Sequence, residues 1–425
     1  MMPDFKPVRG MRDLLIEETK QLNLIIRNAR KVAKCYNYGE VTTPIVESHE
    51  LVSAKSSDEI RNRMFTFQDL GDRAVALRPE FTASIARLVT TVLKKAPRPM
   101  RLFSIGSVYR YDEPQRGRYR EFWQSNYELM GSKKPEADAE LILLTNYFLK
   151  ALGLKKYFFK VGHIGIVKGI LDQERVAEKT QKEVLHLMDK KEYDEAFSQL
   201  KNDNVKSVLQ GLVEVKGDNI FEITDEMRVQ VKDYSKARDA ADNLMEILKF
   251  VASSGCSIDS IQPTFSRGLE YYTGLIFEVQ VPELEISLGG GGRYDRLIEL
   301  FGGISTPAVG VAHGLDRINL ALQIQGVEAK DQKAKKIFVI PIGEDLRIKA
   351  LNIVEELRNS GLFVEFEVMG RKMGKALEYA NKCKMDYVVI VGKSELKEGS
   401  VALRNLVKHE QINVKLENLL KKIQE

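Results

Sequence analysis

The segment VYRYDEPQRGRYREFWQSNYELMG, residues 108–131, sets basic side chains around a turn and follows them with a strand-like run. A proline and a glycine lie among four arginines: Arg110, Arg116, Arg118 and Arg120. Residues 101–110 and 121–130 are rich in strand-forming residues, which predicts an antiparallel hairpin. A period of two then puts four side chains on one face of the second strand: Phe122, Gln124, Asn126 and Glu128. The three polar groups among them, facing Arg110 across the hairpin, would form a floor of donors and acceptors, although a surface hairpin with one wet face fits the pattern equally well.

Length and composition limit the class of protein. A chain of 425 residues is too long for one hydrophobic core, so two or three domains are expected. The three cysteines are widely separated and form neither a disulfide framework nor a CxxC metal site, which is typical of a reducing cytosol. Charges occupy the N-terminus where a signal peptide would be apolar, and no apolar run is long enough to cross a bilayer. We therefore expect a cytoplasmic protein without a membrane partner.

The charge is unevenly distributed. The net charge is +5, and residues 335–425 carry 17 Lys and Arg against 13 Asp and Glu. This excess would suit a polyanionic partner, but a solvated charged surface explains it as well.

The first three quarters of the chain mix helices with short strands. Apolar spacing predicts a helix over residues 17–38, and EVTTPIVE predicts a strand interrupted by Pro44. A short strand, a break at Pro79 and a helix from about Thr82 follow. Residues of about 170–250 are charged and helical, which indicates an inserted helical subdomain. Strand character returns at 262–282, and a last helix is predicted from about Asp316 to Gln325.

The C-terminal part has a different architecture. KIFVIPIG, LFVEFEV and DYVVIVG are strand-like and alternate with helical stretches, which predicts a βαβαβ unit with a small parallel sheet. The polar segment before it predicts a domain boundary near residues 328–334.

Several common motifs are absent. The sequence contains no GxxxxGK[ST] loop, no HExxH and no GxGxxG between a strand and a helix. If the chain uses ATP, arginines are the obvious groups to bind its phosphates, because a planar guanidinium binds anions with two parallel hydrogen bonds.

Three further segments carry glycines beside charged or aromatic residues. SRGLEYYTG sets Arg267 and two tyrosines in a β-like segment, and LGGGGRYD sets glycines before Tyr294. Glycines in a strand indicate close approach of the backbone to another group, although a bulge or tight turn would also explain them. GVAHGLDRI begins a helix whose first turn contains Arg317, a position that favours a bound anion or an ion pair with Asp316 or Glu299.

Over nearly its whole length the chain resembles class II aminoacyl-tRNA synthetases, and among them the histidyl-tRNA synthetase family. RGMRDLL begins the resemblance, the segment around Pro44 resembles motif 1 with its dimer interface, residues 108–131 resemble motif 2, and GVAHGLDRI resembles motif 3. RGLEYYTG and GGGGRYD resemble the two blocks diagnostic for histidine.

The resemblance implies an α+β fold in two domains. Residues 1–327 would form an antiparallel-sheet class II catalytic domain containing the helical insertion. Residues 334–425 would form an α/β anticodon-binding domain. L-histidine, ATP and tRNA(His) would be the substrates, and the protein would be a homodimer.

The resemblance also implies which residues bind ATP. Arg110 would bridge the histidine carboxylate and the α-phosphate, while Arg267 would stabilise the pentavalent α-phosphate from the opposite side; both are candidate catalytic residues. Other predicted ATP-binding residues are Asp112, Arg118, Phe122 under the adenine, and Arg317 at the γ-phosphate. Mg²⁺ would accompany the β- and γ-phosphates, with no dedicated protein cage.

For histidine, the resemblance implies a pocket that reads both imidazole nitrogens. Glu128 would accept a hydrogen bond from the N–H, and the hydroxyl of Tyr272 would donate to the bare nitrogen. The α-ammonium group would be bound by Glu80, Thr82 and Gln124. The remaining predicted histidine-binding residues are Phe81, Arg110, Arg267, Tyr271 and Tyr294, the last of which would close the pocket.

Some positions depart from the family pattern. The family commonly has Asp at Glu270, often Gly at Phe81, and His or Tyr at Trp123. The scattered histidines lack metal-ligand spacing, which favours packing or surface roles: His49, His163, His186, His313 and His409.

Two other functions remain open. One is a catalytically inactive paralogue that acts as a histidine-sensing regulatory subunit of histidine biosynthesis; such proteins usually lack the C-terminal domain and parts of the arginine set. The other is a class II synthetase for glycine, threonine or proline, which would leave RGLEYYTG and GGGGRYD unexplained.

Overall fold

The structure is a computed structural model, and it describes residues 5–54, 58–215, 219–265, 271–284, 286–327 and 335–424. The chain divides into two compact units, Met1–Ala329 and Lys330–Glu425. Within these ranges, no helix combines the length and the apolar character needed to cross a membrane.

The first unit opens with helices and strands that lead into a long hairpin. The elements that precede the helical insertion are α1 (Ile16–Cys35), β1 (Gly39–Glu40), β2 (Val46–Ser48), α2 (His49–Ser53), α3 (Asp58–Arg61), β3 (Thr66–Gln68), β4 (Ala74–Leu77), α4 (Thr82–Thr91), β5 (Met100–Tyr109), β6 (Glu121–Met130), α5 (Pro135–Ala151) and β7 (Phe158–His163).

A helical insertion follows, and the chain then returns to the sheet. The insertion contains α6 (Ile164–Gln173), α7 (Glu178–Asp189), α8 (Tyr193–Ser198), α9 (Asp203–Glu214), α10 (Ile220–Gln230) and α11 (Ser235–Ser253). The returning elements are β8 (Ser260–Ile261), β9 (Leu275–Gln280), β10 (Gly289–Arg293), α12 (Leu297–Leu300), β11 (Ala308–Gly314) and α13 (Leu315–Ile324).

The predicted hairpin is the centre of the main sheet, whose strand order is β1-β5-β6-β11-β10-β9-β7-β8. β5 and β6 pair antiparallel, with Gly106 opposite Gln124 and Tyr109 opposite Glu121. β6 pairs on its other edge with β11, so the alternative of a surface hairpin is wrong. The sheet is antiparallel except at its ends, where β1 joins β5 and β7 joins β8 in parallel. A smaller sheet has the order β2-β4-β3.

The two faces of β6 are buried differently, as the period of two predicts. Tyr127 and Leu129 belong to the hydrophobic core that also contains the apolar faces of α1 and α5. Residues of α4, together with Met130 and Ile276, form a second core on the other side. Glu128 is also buried, with 1% of its surface exposed, so the alternating face holds a carboxyl group inside the protein.

Two local predictions differ from the structure. Tyr271 and Tyr272 were expected in a β-like segment, but the strand begins later, at Leu275, and the tyrosines lie in the turn that leads to it. GVAHG was expected at the entrance of a helix, but it is the end of β11, and the helix begins at Leu315. Small residues suit this strand because it packs between β6 and β10.

The second unit is an α/β domain. Its elements are β12 (Lys336–Pro341), α14 (Arg347–Asn359), β13 (Phe363–Phe366), α15 (Met373–Lys382), β14 (Tyr387–Val391), α16 (Lys393–Lys397), β15 (Ser400–Asn405), β16 (Glu410–Lys415) and α17 (Leu416–Gln424). β13, β12 and β14 are parallel, as the βαβαβ pattern predicts. The sheet as a whole is mixed, because β15 and β16 extend it as an antiparallel hairpin beyond the predicted unit.

A buried ion pair connects β10 to α5. Arg293 donates from Nε to Asp138 at 2.9 Å, and it also pairs with Asp295 at 3.0 Å. The side chains of Arg293 and Asp138 are only 6% and 1% exposed. Burial raises the pKa of Asp138 to about 6, while Arg293 opposes that rise. A charge left alone in this position would be strongly destabilising.

We therefore expect Arg293→Ala to lower the free energy of unfolding by about 3–5 kcal/mol, because it leaves the Asp138 carboxyl buried without its partner. Arg30→Ala is the matched control, since Arg30 pairs with Glu40 at 2.9 Å on the surface, where the two side chains are 48% and 41% exposed, respectively. Loss of this exposed pair should lower the free energy of unfolding by less than about 1 kcal/mol. Denaturant unfolding measures both. Equal losses would contradict the structural role given to the buried pair.

Candidate active site

A cleft of about 230 Å³ opens on the face of the main sheet formed by β6, β10 and β11. It brings together residues that are far apart in the sequence. The predicted site residues that line it are Glu80, Thr82, Arg110, Asp112, Phe122, Gln124, Tyr271, Tyr272, Tyr294 and Arg317. A cleft with both cationic and anionic walls can bind a ligand that carries both charges.

Glycines make the floor of this cleft because no side chain fits there. Glycines 289–291 of β10 and Gly310 and Gly314 of β11 line it. A Cβ at Gly291 would lie 2.0 Å from the carbonyl oxygen of Gly310, and one at Gly292 would lie 2.9 Å from the Tyr272 ring. The run is a regular antiparallel strand paired with β9 and β11, so the alternative of a bulge or tight turn is wrong.

The Glu128 carboxyl group stands beside this floor with its two oxygens in different surroundings. Oε1 accepts hydrogen bonds from Thr82 Oγ1 at 2.8 Å and from Asn126 Nδ2 at 2.7 Å. Oε2 is buried and has no hydrogen-bond partner among the described residues. The Tyr294 hydroxyl and Gln124 Oε1 are likewise buried and unpartnered within the described ranges. Such groups cost free energy unless a ligand supplies the missing bonds.

Burial raises the pKa of Glu128 from 4.5 to about 8. The hydrogen bonds from Thr82 and Asn126 oppose this rise, and the nearby Glu80 adds to it. A ligand that donates an N–H to Oε2 would stabilise the carboxylate and lower the pKa. A hydrogen-bond donor at Oε2 would therefore relieve part of the cost of burying this carboxyl group.

A second carboxyl group lies at another wall of the cleft. Glu80 Oε2 accepts a hydrogen bond from the Tyr271 hydroxyl at 3.3 Å. Burial raises the pKa of Glu80, and the positive charge of Arg110 opposes that effect. Arg110 is fixed by donation from Nε to the Pro79 carbonyl at 2.9 Å, and its guanidinium lies 5.5 Å from the Phe122 ring centroid. Acidic and basic groups thus face the same space.

The cationic end of the cleft continues into a smaller recess. Arg118, Arg317, Asp112 and Phe122 line the recess together with Gly117. Arg317 donates from Nη1 to the Ser287 carbonyl at 3.0 Å, which fixes its direction. Arg118 Nε is buried and lacks a hydrogen-bond partner among the described residues. A recess lined by guanidinium groups at the start of a helix suits phosphate.

The N-terminal segment holds the arginine-rich turn from outside. Arg120 N donates to the Gly10 carbonyl at 2.8 Å, and the Arg12 guanidinium lies 3.6 Å from the Tyr119 ring centroid. Arg12 also pairs with Asp316, which accepts a further hydrogen bond from the backbone N–H of Trp123 at 2.7 Å. Asp316, one of the two partners considered for Arg317, is thus engaged by Arg12.

The remaining positions singled out from the sequence fall into three groups. Phe81 does not line the cleft: its ring is 1% exposed and lies under the Arg78 guanidinium, 4.2 Å from the ring centroid, because the start of α4 turns it into the core. Arg267 and Glu270 lie outside the described residues. His313 is fully buried on the opposite face of β11 from the cleft, between Ser125 and Thr145, so it has the packing role expected of the histidines.

The sequence pattern gave no signal for several cleft residues. Arg63 lines the cleft and pairs with Asp112 at 3.1 Å, and Ser287 and Leu288 also line it. Each lies outside regular elements, where periodicity carries no information. Among the described residues, no group of three His, Cys, Asp or Glu side chains is placed to hold a metal ion.

Comparison with protein families gives two matches. The family model described as Histidyl-tRNA synthetase matches residues 10–318, and the one described as Anticodon binding domain matches residues 336–425. A histidine–tRNA ligase from Methanocaldococcus jannaschii is 39% identical over 424 residues, which cover 99% of each chain. One from Sulfolobus acidocaldarius is 40% identical over 423 residues, which cover 98% of each.

Solved structures show the same fold. Histidyl-tRNA synthetase from Nostoc superposes with a TM-score of 0.80 at 20% identity, over 99% of both chains. A Bacillus halodurans protein, described as an ATP phosphoribosyltransferase regulatory subunit/histidyl-tRNA synthetase, gives a TM-score of 0.78 at 26% identity, over 91% of this chain and 98% of its own.

The raised pKa of Glu128 leads to a stability prediction. Because the pKa of Glu128 is higher in the folded protein than in the unfolded chain, the folded protein loses stability as the pH rises from 4.5, the pKa in the unfolded chain, towards about 8. Glu128→Gln cannot ionise, so we expect it to be more stable than the wild type at pH 8, by on the order of a few kcal/mol, with little advantage at pH 5. Thermal unfolding without ligands measures the difference.

Glu246→Gln is the control for this comparison, because Glu246 lies on the exposed face of α11 and its replacement should have no comparable pH-dependent effect. The same advantage for Glu128→Gln at both pH values would argue against a buried, ionising carboxyl group.

Proposed function

The chain belongs to the histidyl-tRNA synthetase family and its reaction is that of a histidine–tRNA ligase, and on this premise we propose that the cleft activates L-histidine with ATP before the histidine is transferred to tRNA. The observation that carries this assignment to the cleft is that it combines buried polar groups with arginines. Glu128 Oε2 and the Tyr294 hydroxyl are buried without a hydrogen-bond partner among the described residues, while Arg110 and Arg317 line the cleft and Arg118 lines its recess.

Activation joins two anions, which explains the arginines. A carboxylate oxygen of histidine forms a bond to the α-phosphorus of ATP, and the bond from that phosphorus to the bridging oxygen of pyrophosphate breaks. Arg110, held by the Pro79 carbonyl, would neutralise the carboxylate and the α-phosphate as they approach. By family resemblance, Arg267 would stabilise the added charge of the pentavalent α-phosphate. Positioning and electrostatic stabilisation then account for the acceleration.

Histidine recognition follows from the unpartnered groups. The imidazole N–H would donate to Glu128 Oε2, and the Tyr272 hydroxyl would donate to the other ring nitrogen. Glu80, with Thr82 and Gln124, would bind the α-ammonium group, while Tyr271 holds Glu80 in place through its hydroxyl. Tyr294 would close the pocket above Gly310. An amino acid without the ring N–H would leave Oε2 buried and unpaired.

ATP would extend from the cleft into the smaller recess. Phe122 would stack against the adenine, with Asp112 beside it, and Arg118 and Arg317 would bind the phosphates. Aminoacyl-tRNA synthetases use ATP and generally a divalent metal, and we propose Mg²⁺ here. Mg²⁺ binds phosphate oxygens and keeps several waters, so it would enter with the β- and γ-phosphates of ATP.

The remaining partners concern the whole protein. We propose that residues 1–327 form the catalytic domain and residues 334–425 read the anticodon of tRNA(His), with an excess of basic residues that suits RNA. We also propose a cytoplasmic homodimer. Ile45 and Val46, beside Pro44 in the segment that resembles motif 1, are 44% and 45% exposed, which supports an apolar subunit contact there.

The alternative of a regulatory subunit has less support. Relatives that match the whole chain are histidine–tRNA ligases, and the chain contains a segment that matches the anticodon-binding family. Arg110 and Arg317, both needed to bind ATP in this proposal, line the cleft.

Amino-acid-dependent exchange between ATP and pyrophosphate tests the assignment directly. Histidine should support exchange, and other amino acids should be slower by a factor of at least about 10⁴, because a site built for a ring N–H rejects side chains that leave its polar groups unpaired. Each of the twenty amino acids is assayed separately at saturating ATP. Comparable exchange with a second amino acid would refute histidine specificity.

Removal of the C-terminal unit separates activation from tRNA charging. The two units have their own hydrophobic cores, so a chain that ends at Val327 should keep histidine-dependent pyrophosphate exchange within about tenfold of the full chain. Charging of tRNA(His) should fall far more, by roughly a hundredfold or more, because anticodon contacts are lost. The exchange rate is the internal control for folding, and unchanged charging would show that anticodon reading lies elsewhere.

A further inference from the structure

We propose that Asn126 is a positioning residue for histidine recognition: together with Thr82 it occupies one oxygen of the Glu128 carboxyl group, so that the other oxygen alone is presented to the imidazole. This inference rests on the proposed function of the cleft, and Asn126 is not one of the predicted histidine-binding residues.

The hydrogen bonds around Glu128 are one-sided. Asn126 Nδ2 and Thr82 Oγ1 both donate to Oε1, at 2.7 and 2.8 Å. Oε2 is buried without a partner among the described residues. It lies only 1.9 Å from where a Cβ of Gly310 would be, and the Tyr294 hydroxyl lies 2.9 Å from the same point. The carboxyl group therefore projects one acceptor across a glycine that leaves room for it.

The sheet prevents Asn126 from turning away. Asn126 and Glu128 are two residues apart on β6, so their side chains leave the same face of the strand. The backbone of Asn126 is paired with Ser104 of β5 on one side and Ala312 of β11 on the other. The residue is 1% exposed and its side chain borders the cleft. Its amide is thus held against the carboxyl group by the centre of the fold.

Without the Asn126 amide, the Glu128 carboxyl group would be less firmly oriented and less readily ionised. Thr82 alone could donate to either oxygen if the carboxyl group rotated, so Oε2 would no longer be fixed above Gly310. Thr82 at the start of α4 and Asn126 of β6 are neutral donors to the carboxyl group, and within the described ranges Glu80 is the charged group whose effect on it is resolved, which disfavours the carboxylate. The Tyr294 hydroxyl faces it from beyond β10. Loss of the Asn126 donor should therefore also shift the ionisation of Glu128 to higher pH.

Asn126→Ala and Asn126→Asp test the proposal in histidine-dependent pyrophosphate exchange on the full-length protein. We expect Asn126→Ala to raise KM for histidine roughly ten- to a hundredfold, with kcat and KM for ATP within about threefold, because a hydrogen bond to a charged group is lost. As the pH is raised, the KM of Asn126→Ala for histidine should reach its lowest, constant value at a higher pH than the KM of the wild type, because Glu128 ionises at higher pH. Asn126→Asp keeps the shape of the side chain but cannot donate when ionised, so it should be at least as impaired as Asn126→Ala.

Ser125→Ala is the matched control. Ser125 is the preceding residue of β6, fully buried, and bonds to His313 on the opposite face, so its replacement should leave KM for histidine unchanged. Thermal unfolding shows whether each variant is folded. If Asn126→Ala does not fold, the KM of Asn126→Asp for histidine is used to test the proposal. Near-normal KM in Asn126→Asp, or an equal rise in KM for ATP, would overturn the positioning role. A wild type that does not activate histidine would instead refute the proposed function of the cleft.

Discussion

The structure depends on a carboxyl group that is held inside a β-sheet against its electrostatic preference. Glu128 is 1% exposed, and burial raises its pKa to about 8. Its place exists only because Gly310, on the neighbouring strand, has no Cβ to fill it. Two donors satisfy one oxygen, and the other has no hydrogen-bond partner within the described part of the chain. Such a group weakens the empty protein, and a donor in the right place removes the penalty. Under the proposed function, affinity and selectivity for an imidazole would then have the same physical origin.

The surrounding fold keeps that arrangement rigid. Gly292 of β10 has no Cβ, and the Tyr272 ring lies only 2.9 Å from where that Cβ would be. Directly after the glycines of this strand, the side chain of Arg293, the last residue of β10, forms a buried ion pair with Asp138 of α5. Thr273 N donates to the carbonyl of Arg293 at 2.8 Å, which connects the turn carrying Tyr272 to the same strand. The segment that carries the glycine floor therefore also carries its anchor to the core, so a change in either would move the pocket.

Much of this could be predicted from sequence because it follows from local periodicity. The alternation in residues 121–130 predicts the hairpin and the shared face of Gln124, Asn126 and Glu128, and the C-terminal apolar runs predict the parallel strands. Periodicity could not show that Asn126 and Thr82 choose the same carboxyl oxygen, because Thr82 comes from another element. Arg63 also reaches the cleft from a segment without a pattern. Phe81 lies between two predicted pocket residues in the sequence, but the start of α4 turns its ring inward.

The arginines show why distance along the chain is a poor guide to this site. Arg110 and Arg317 are separated by about two hundred residues, yet both line one cleft. Arg110 follows β5 and Arg317 lies in the helix after β11, and these two strands pair with opposite edges of β6. Each guanidinium donates to a carbonyl oxygen, of Pro79 for Arg110 and of Ser287 for Arg317, and this bond fixes its direction. Donors that are fixed in advance need little reorganisation when negative charge develops beside them.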